Sequence, residues 1–250
     1  MRTDGELARD GDAFVLRFER DLPHPIEQVW QTITEPKGLE AWFPATVSLE
    51  LRVGGQVAFA NDPDFDVDPE LLAFSGEVKE LDPQRCFAFT WGTDLLRFEL
   101  VPTDDGCRLV FTHRLAHRAM VNRTVAGWSV CLDGLSSSLG DEEATPGWRA
   151  YYDHYAAAFG DGGWVERDGE STIVRFERLM PACAETVRST LAVGAPELDP
   201  NPGGEVKWQL IPIGETSLLL LTHTITREID EDAVVDSWDR QLKGLSAALA

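Results

Sequence analysis

The feature that most constrains this chain is an internal repeat that runs at two different offsets. Arg17-Phe18-Glu19-Arg20, then Leu22-Pro23, Glu27 and Val29, recurs as Arg175-Phe176-Glu177-Arg178, Met180-Pro181, Glu185 and Val187, an offset of 158 (18 to 176). Leu100, Pro102, Thr112, His113, Trp128, Leu132, Gly134, Leu135, Ser136 and Leu139 recur as Leu210, Pro212, Thr222, His223, Trp238, Leu242, Gly244, Leu245, Ser246 and Leu249, an offset of 110 (128 to 238). Both ends of one unit are therefore written twice. The offsets 158 and 110 differ by 48, which implies a second copy lacking a middle segment that corresponds roughly to Pro44–Gly92. Between the copies lies Gly160-Asp161-Gly162-Gly163, a run of small residues without apolar pattern that reads as a boundary. The expected organisation is a complete domain over residues 1–160 and a truncated half-unit over residues 163–250.

Local periodicity sketches the elements. Residues 13–20 alternate, with Phe14, Leu16 and Phe18 opposite Arg17 and Glu19, as a half-buried strand does. Pro23 and Pro25 end it, and Pro25 suits the first position of a helix whose apolar face is Ile26, Val29, Trp30 and Ile33. A short helical turn precedes Trp42-Phe43-Pro44. From there to Leu115 successive strands are separated by turn signals at Val53-Gly54-Gly55, Asp82-Pro83, Gly92 and Asp104-Asp105-Gly106. Leu72, Phe74 and Val78, then Phe87, Phe89 and Trp91, then Leu96, Phe98 and Leu100, then Leu109, Phe111, His113 and Leu115 each share one face by period two. The period then changes: Val121, Val125, Trp128, Leu132, Leu135 and Leu139 form the stripe of a long helix over the sheet. Its Gly127 and Gly134 would allow close approach to the sheet or leave room for a ligand. A last helix, Trp148–Phe159, has Trp148, Tyr152, Tyr155 and Phe159 at helical spacing.

Composition removes several function classes. A hydrophobic fraction of 43% and eight tryptophans suit a packed globule, and no apolar run approaches the length of a bilayer span. Met1–Asp12 is acidic and has no apolar core of a signal peptide, so a cytoplasmic location is expected. A net charge of -21 repels phosphate backbones and anionic lipid, which argues against nucleic acid and membrane as partners. Cys86, Cys107, Cys131 and Cys183 show no metal or redox spacing and read as reduced thiols. The run Asp62, Asp64, Asp66, Asp68 and Glu70 has calcium-loop spacing, but Val67 stands at the sixth position and Ala73 at the twelfth, so a solvated connection is the reading. No metal and no cofactor is expected.

An antiparallel sheet with a helical insertion after its first strand and a long C-terminal helix is the helix-grip α+β architecture of START-like and birch-pollen-allergen-like proteins. Pro23-His24-Pro25-Ile26-Glu27-Gln28-Val29-Trp30, Thr34-Glu35-Pro36, Leu39, Trp42-Phe43, Val53-Gly54-Gly55, Ser75-Gly76-Glu77-Val78, Phe89-Thr90-Trp91, Thr112-His113 and Gly127-Trp128 resemble the activator of heat-shock-protein-90 ATPase homologue branch of the SRPBCC superfamily. The resemblance spans about residues 13–140. It implies an apolar cavity between sheet and long helix, lined in this sequence by Trp42, Phe43, Phe74, Phe89, Trp91, Phe98, Phe111, His113, Trp128 and Leu132. It also implies a superfamily that includes lipid carriers, polyketide cyclases and chaperone cofactors of the stress response.

Each singled-out residue also has a plain reading. His113 and His223 could serve a ligand as hydrogen-bonding or acid–base groups, yet the pattern places no carboxylate or nucleophile with them, which favours core histidines. The aromatics are likewise core before they are a binding box. The expected function is non-enzymatic: binding a small hydrophobic ligand, or engaging a protein such as a chaperone. A cyclase- or aromatase-like enzyme using His113, and a structural protein with a filled core, are the alternatives. The half-unit should leave the strand at Val206–Leu210 as an open edge and the stripe Trp238, Leu242, Leu245 and Leu249 over too narrow a sheet. The expectation is that it packs against the first domain or, as a homodimer, against a second chain, and that residues 1–160 fold alone while residues 163–250 do not.

Overall fold

The structure is a computed structural model that describes residues 4–11, 13–60, 75–115, 121–141, 144–160, 163–192 and 203–250. Two compact units divide the chain at residues 155 and 156. In the first, β1 (Glu6–Asp10) and β2 (Ala13–Leu22) precede α1 (Ile26–Thr34) and α2 (Pro36–Glu40). Then come β3 (Thr46–Leu49), β4 (Gln56–Ala60), β5 (Ser75–Asp82), β6 (Cys86–Trp91), β7 (Asp94–Thr103), β8 (Gly106–Leu115), the long helix α3 (Val121–Leu139) and α4 (Trp148–Phe159). The strands form one antiparallel sheet in the order β1-β2-β8-β7-β6-β5-β4-β3. This is the helix-grip arrangement.

The apolar periods decide which faces are buried. Along β2 Leu16, Phe18 and Leu22 face inward, and α1 buries Val29 and Ile33. Pro25 is the N-cap of α1 rather than its first residue, and its carbonyl accepts from Gln28 N at 2.9 Å. The strand turns use left-handed backbone where expected: Gly54 has φ 76° and donates its N–H to the Val78 carbonyl at 2.9 Å, and Gly92 has φ 60°. Helix α4 buries Tyr151, Tyr152 and Tyr155 rather than the predicted run from Trp148 to Phe159. Polar bonds set that rotation: Tyr151 Oη donates to the buried Asp133 carboxylate at 2.6 Å, and Tyr155 Oη lies 3.0 Å from Ser129 Oγ.

The second unit contains β9 (Trp164–Asp168), β10 (Ser171–Met180), α5 (Ala184–Ala192), β11 (Glu205–Ile213), β12 (Thr216–Ile225) and α6 (Glu231–Leu249). Its sheet order is β11-β12-β10-β9. Each pairing keeps the register of the first unit at the offsets found in the sequence. Phe18 opposes Phe111 as Phe176 opposes Leu221; Phe98 opposes Phe111 as Trp208 opposes Leu221; Arg9 opposes Phe14 as Arg167 opposes Thr172. Gly5 crosses the ring of Phe18 so closely that a Cβ would lie 2.6 Å from it, and Gly163 crosses Phe176 with 2.4 Å. The strands without a counterpart among the described residues, β3 to β6, are contiguous at one edge of the larger sheet.

Two expectations are corrected here. The half-unit has four strands rather than three, because the short charged strands β1 and β9 escape a search for apolar alternation. The Asp10-Gly11 and Asp168-Gly169 pairs signal their hairpins, with φ of 60° at Gly11 and 58° at Gly169. The helix stripe is also not left open. Trp238, Leu242 and Leu245 are buried in a core with Val174, Phe176, Leu219 and Leu221, and Val165 of β9 and Leu249 pack against that core. What the second unit does expose is Trp208, 43% accessible on the edge strand β11.

Candidate functional site

Phe43 follows α2 and is the hub of an aromatic cluster. The chain is turned into the core by Phe43 N–H donating to the Leu39 carbonyl at 2.8 Å, and Trp42 Nε1–H ties the loop to α1 by donating to the Thr32 carbonyl at 3.1 Å. From Phe43 the ring centroids of Trp91, Trp42 and Trp128 stand at 5.3, 5.6 and 5.6 Å, and that of Phe89 at 6.1 Å. Phe98 stacks on Phe111 at 4.7 Å, and Trp128 of α3 meets Phe111 edge-on at the same distance. These separations suit mutual aromatic packing.

Of the ten residues expected to line a cavity, Trp42, Phe43, Phe89, Trp91, Phe98, Phe111, His113 and Trp128 are brought together by these ring contacts. Leu132 is fully buried on α3, and Phe74 lies outside the described residues, as does the acidic run Asp62–Glu70. Phe59 of β4 was missed. It stacks on Trp91 at 5.0 Å with an interplanar angle of 12°, and both rings are half-buried, so this pair forms the accessible end of the cluster. Alternation of Val57 and Phe59 in a short strand is the signal that could have found it.

His113 is more elaborately held than its sequence context suggests. Trp128 Nε1–H donates to His113 Nδ1 at 2.8 Å, and His113 Nε2 lies 3.0 Å from Asp94 Oδ2. Since Nδ1 accepts, the neutral ring carries its proton on Nε2 and donates it to the carboxylate. The expectation that no carboxylate accompanies His113 is thus corrected. Asp94 begins β7 beside the Gly92 turn, 19 residues away in the chain, and no spacing rule links the two. In the second unit Trp238 Nε1–H donates to His223 Nδ1 at 3.0 Å, and His223 Nε2–H donates to the Gly203 carbonyl at 3.1 Å. The ring pairs match as well, at 5.8 Å and 86° against 5.8 Å and 84°. Position 204, offset by 110 from Asp94, is a glycine with φ 135°, where a Cβ would lie 2.9 Å from His223 Nε2.

Burial lowers the His223 pKa from its ordinary 6.5, the Gly203 bond opposing it only in part. A histidine depressed in the folded state stabilises above the unfolded value, and that contribution is lost as pH falls below about 6.5 toward the folded value. The second unit is therefore expected to lose stability between pH 7.5 and 5.5, and His223→Gln to flatten the loss. Thermal unfolding at both pH values checks this, and equal pH slopes for the two proteins would sink it.

Desolvation pushes the thiols of the buried Cys86 and Cys107 up to about 11 and that of the half-buried Cys131 up to about 12. Among the described residues no helix is long and apolar enough to cross a membrane.

Residues 23–140 match the family described as Activator of Hsp90 ATPase homolog 1-like protein. The match covers most of the first unit. Several solved structures are similar to it. The conserved protein of unknown function EF2215 from Enterococcus faecalis is 22% identical with a TM-score of 0.51, covering 62% of this chain and 90% of its own. CalU16 from Micromonospora echinospora is 19% identical with a TM-score of 0.47 over 63% and 94% of the two chains. No curated protein matches the sequence. Within the matched residues the glycine motifs acquire physical reasons. Gly76 of β5 passes so near β6 that a Cβ would lie 1.9 Å from the Thr90 carbonyl oxygen, and at Gly55 it would lie 2.1 Å from the Glu50 oxygen. On α3, Gly134 faces Trp42 Cβ at 3.5 Å whereas nothing lies within 4 Å of a Cβ at Gly127.

Proposed function

We propose that this is a cytoplasmic, non-enzymatic binding module whose Hsp90-activator-homologue domain takes a small hydrophobic ligand at the aromatic cluster. The observation that carries this reading is the half-buried Phe59–Trp91 stack, an accessible aromatic surface continuous with the buried rings of Phe43 and Trp128. A planar or chain-like apolar molecule gains both area burial and ring contact there. The family description suggests a protein-binding role as the other form of the same reading, with a chaperone as partner. The second unit is, on this view, a shortened copy of the first: every element has a counterpart at the same register and the same Trp–His bond, without the strands that carry Phe59 and Trp91.

The Asp94–His113 pair favours one rival, a cyclase-like enzyme with an acid–base histidine. Both ring nitrogens of His113 are engaged, however, and a proton arriving at Nδ1 would have to displace the Trp128 N–H, which is why we read the pair as architecture.

Titration with Nile red, a neutral apolar dye, tests the proposal. Saturable binding is expected, weakened at least about tenfold by Trp91→Ala, since base-to-aromatic and similar ring contacts contribute roughly 1–3 kcal/mol. His113→Gln keeps an acceptor for Trp128 and a donor for Asp94, so binding should stay within about tenfold. Absence of saturable binding, or binding indifferent to Trp91→Ala, would overturn the site. A turnover that His113→Gln reduces several hundredfold would overturn the non-enzymatic reading instead.

A further inference from the structure

We infer that Phe59 is the plug of the aromatic site: a ligand seats an aromatic ring in the place of the Phe59 ring, once that ring has swung out to water. The inference rests on the ligand-binding reading above and adds how the site opens and what it admits. Inside the cluster the rings already cover one another. Phe43 is 6% accessible and Phe89 and Phe98 are fully buried, with centroids 6.1 Å apart from Phe43 to Phe89 and from Phe89 to Phe98. A ligand reaches them only where a ring can leave. Phe59 touches three rings at once, Trp91 at 5.0 Å, Phe89 at 6.1 Å and Phe43 at 6.3 Å. Its departure uncovers a recess the size of its own ring, walled by those three side chains.

Phe59 is the ring of the cluster that is held least. Phe43 and Phe89 are enclosed by protein. Trp91 is half-buried like Phe59, but Trp128, pinned by its bond to His113, packs edge-on against it at 6.3 Å and 78°. Phe59 sits beyond the three rungs, Gln56–Glu77, Val57–Gly76 and Ala58–Ser75, that join β4 to β5 among the described residues. Its own rung is with Val47 of the edge strand β3. Beneath the ring lies Gly76, where a Cβ would stand 3.3 Å from Phe59 Cε2, so at that rung the ring rests on backbone and no side chain clasps it. Rotation to another side-chain rotamer carries the half-buried ring into water, at the cost of the area it buries, and a ligand ring in the vacated place restores that contact. Plugged and open are then two positions of one side chain, and the ligand binds the open one. The walls set the ligand class. They are apolar, and Phe59 lies within 12° of parallel to Trp91, so the place fits a flat, uncharged aromatic ring, alone or as the end of a fused system. An alkyl chain would bury area there without the stack.

Equilibrium titration of the full chain with Nile red, whose fused rings are flat and uncharged, tests this in the wild type and three variants. Phe59→Ala removes the plug, so every molecule is open and the dye should bind at least about tenfold tighter, as follows where the open state holds roughly a tenth of the population or less. Phe59→Trp is a larger plug that keeps an aromatic ring on β4, and it should bind about threefold or more weaker. Trp91→Ala reports on the site itself. Dye binding that ignores Trp91→Ala refutes the site and the plug together. Binding that Trp91→Ala weakens, but that Phe59→Ala leaves unchanged or weakens too, refutes the plug alone and makes Phe59 a wall of the site. Circular dichroism checks that each variant is folded. If Phe59→Ala is not, Phe59→Trp decides by itself: weaker binding than in the wild type supports the plug, and equal or tighter binding overturns it.

Discussion

Phe98→Ala is expected to destabilise the first unit by about 3–5 kcal/mol, whereas Trp208→Ala at the matching position of the second unit should cost no more than about 1 kcal/mol. Phe98 is fully buried and its ring touches Phe111, Trp42, Phe89 and Phe87, so truncation removes aromatic contacts on several sides and opens a cavity that close-packed neighbours refill poorly. A loss of that size is a large share of the stability of a single domain. Trp208 occupies the same register site, but 43% of its surface already meets water, and its removal leaves no closed void. Denaturant unfolding of the two variants would separate the cases. Comparable losses for the two variants would mean that the packing of one cluster has been misread.

The second large effect is backbone rather than side chain. Gly76→Ala should cost more than about 3 kcal/mol, because the added Cβ would lie 1.9 Å from the Thr90 carbonyl oxygen and both partners are ladder backbone that cannot swing aside. Relief requires β5 and β6 to separate beside the bulge between Val78 and Glu80. That would also loosen Trp91, whose strand supplies the accessible end of the aromatic cluster, so dye binding should fall with stability. Gly127→Ala offers the opposite sign. With nothing within 4 Å of its Cβ, the substitution gains helix propensity and should stabilise by about 0.5–1 kcal/mol. Melting temperatures moving in these two directions check the pair, and a neutral Gly76→Ala would refute the close approach.

Much of the architecture was legible before any coordinates, for a local reason. Period two along Leu96, Phe98 and Leu100 and along Leu109, Phe111 and His113, and the three- and four-residue steps through Trp128 and Leu132, are set by the geometry of strands and helices themselves. Turn glycines at 54 and 92 are likewise local chemistry. The two offsets were legible too, because repeated residues keep their order whether or not they touch. Tertiary structure alone decided which of those residues meet. Asp94 reaches His113 only because the β7–β8 pairing sets distant residues side by side, and Phe59 covers Trp91 only because β4 and β6 flank the same β5. The strands β1 and β9 hid for a related reason: edge strands carry charge, and their stability comes from a neighbour's ladder rather than from an apolar face of their own. Phe98 and Trp208 state the division most plainly. Each is a bulky aromatic in the same position of the same repeat, and the sequence determines that both point toward the core face. Whether that face is closed depends on a strand outside it, present as β6 in one unit and without a counterpart among the described residues of the other, and burial is a property of that neighbour.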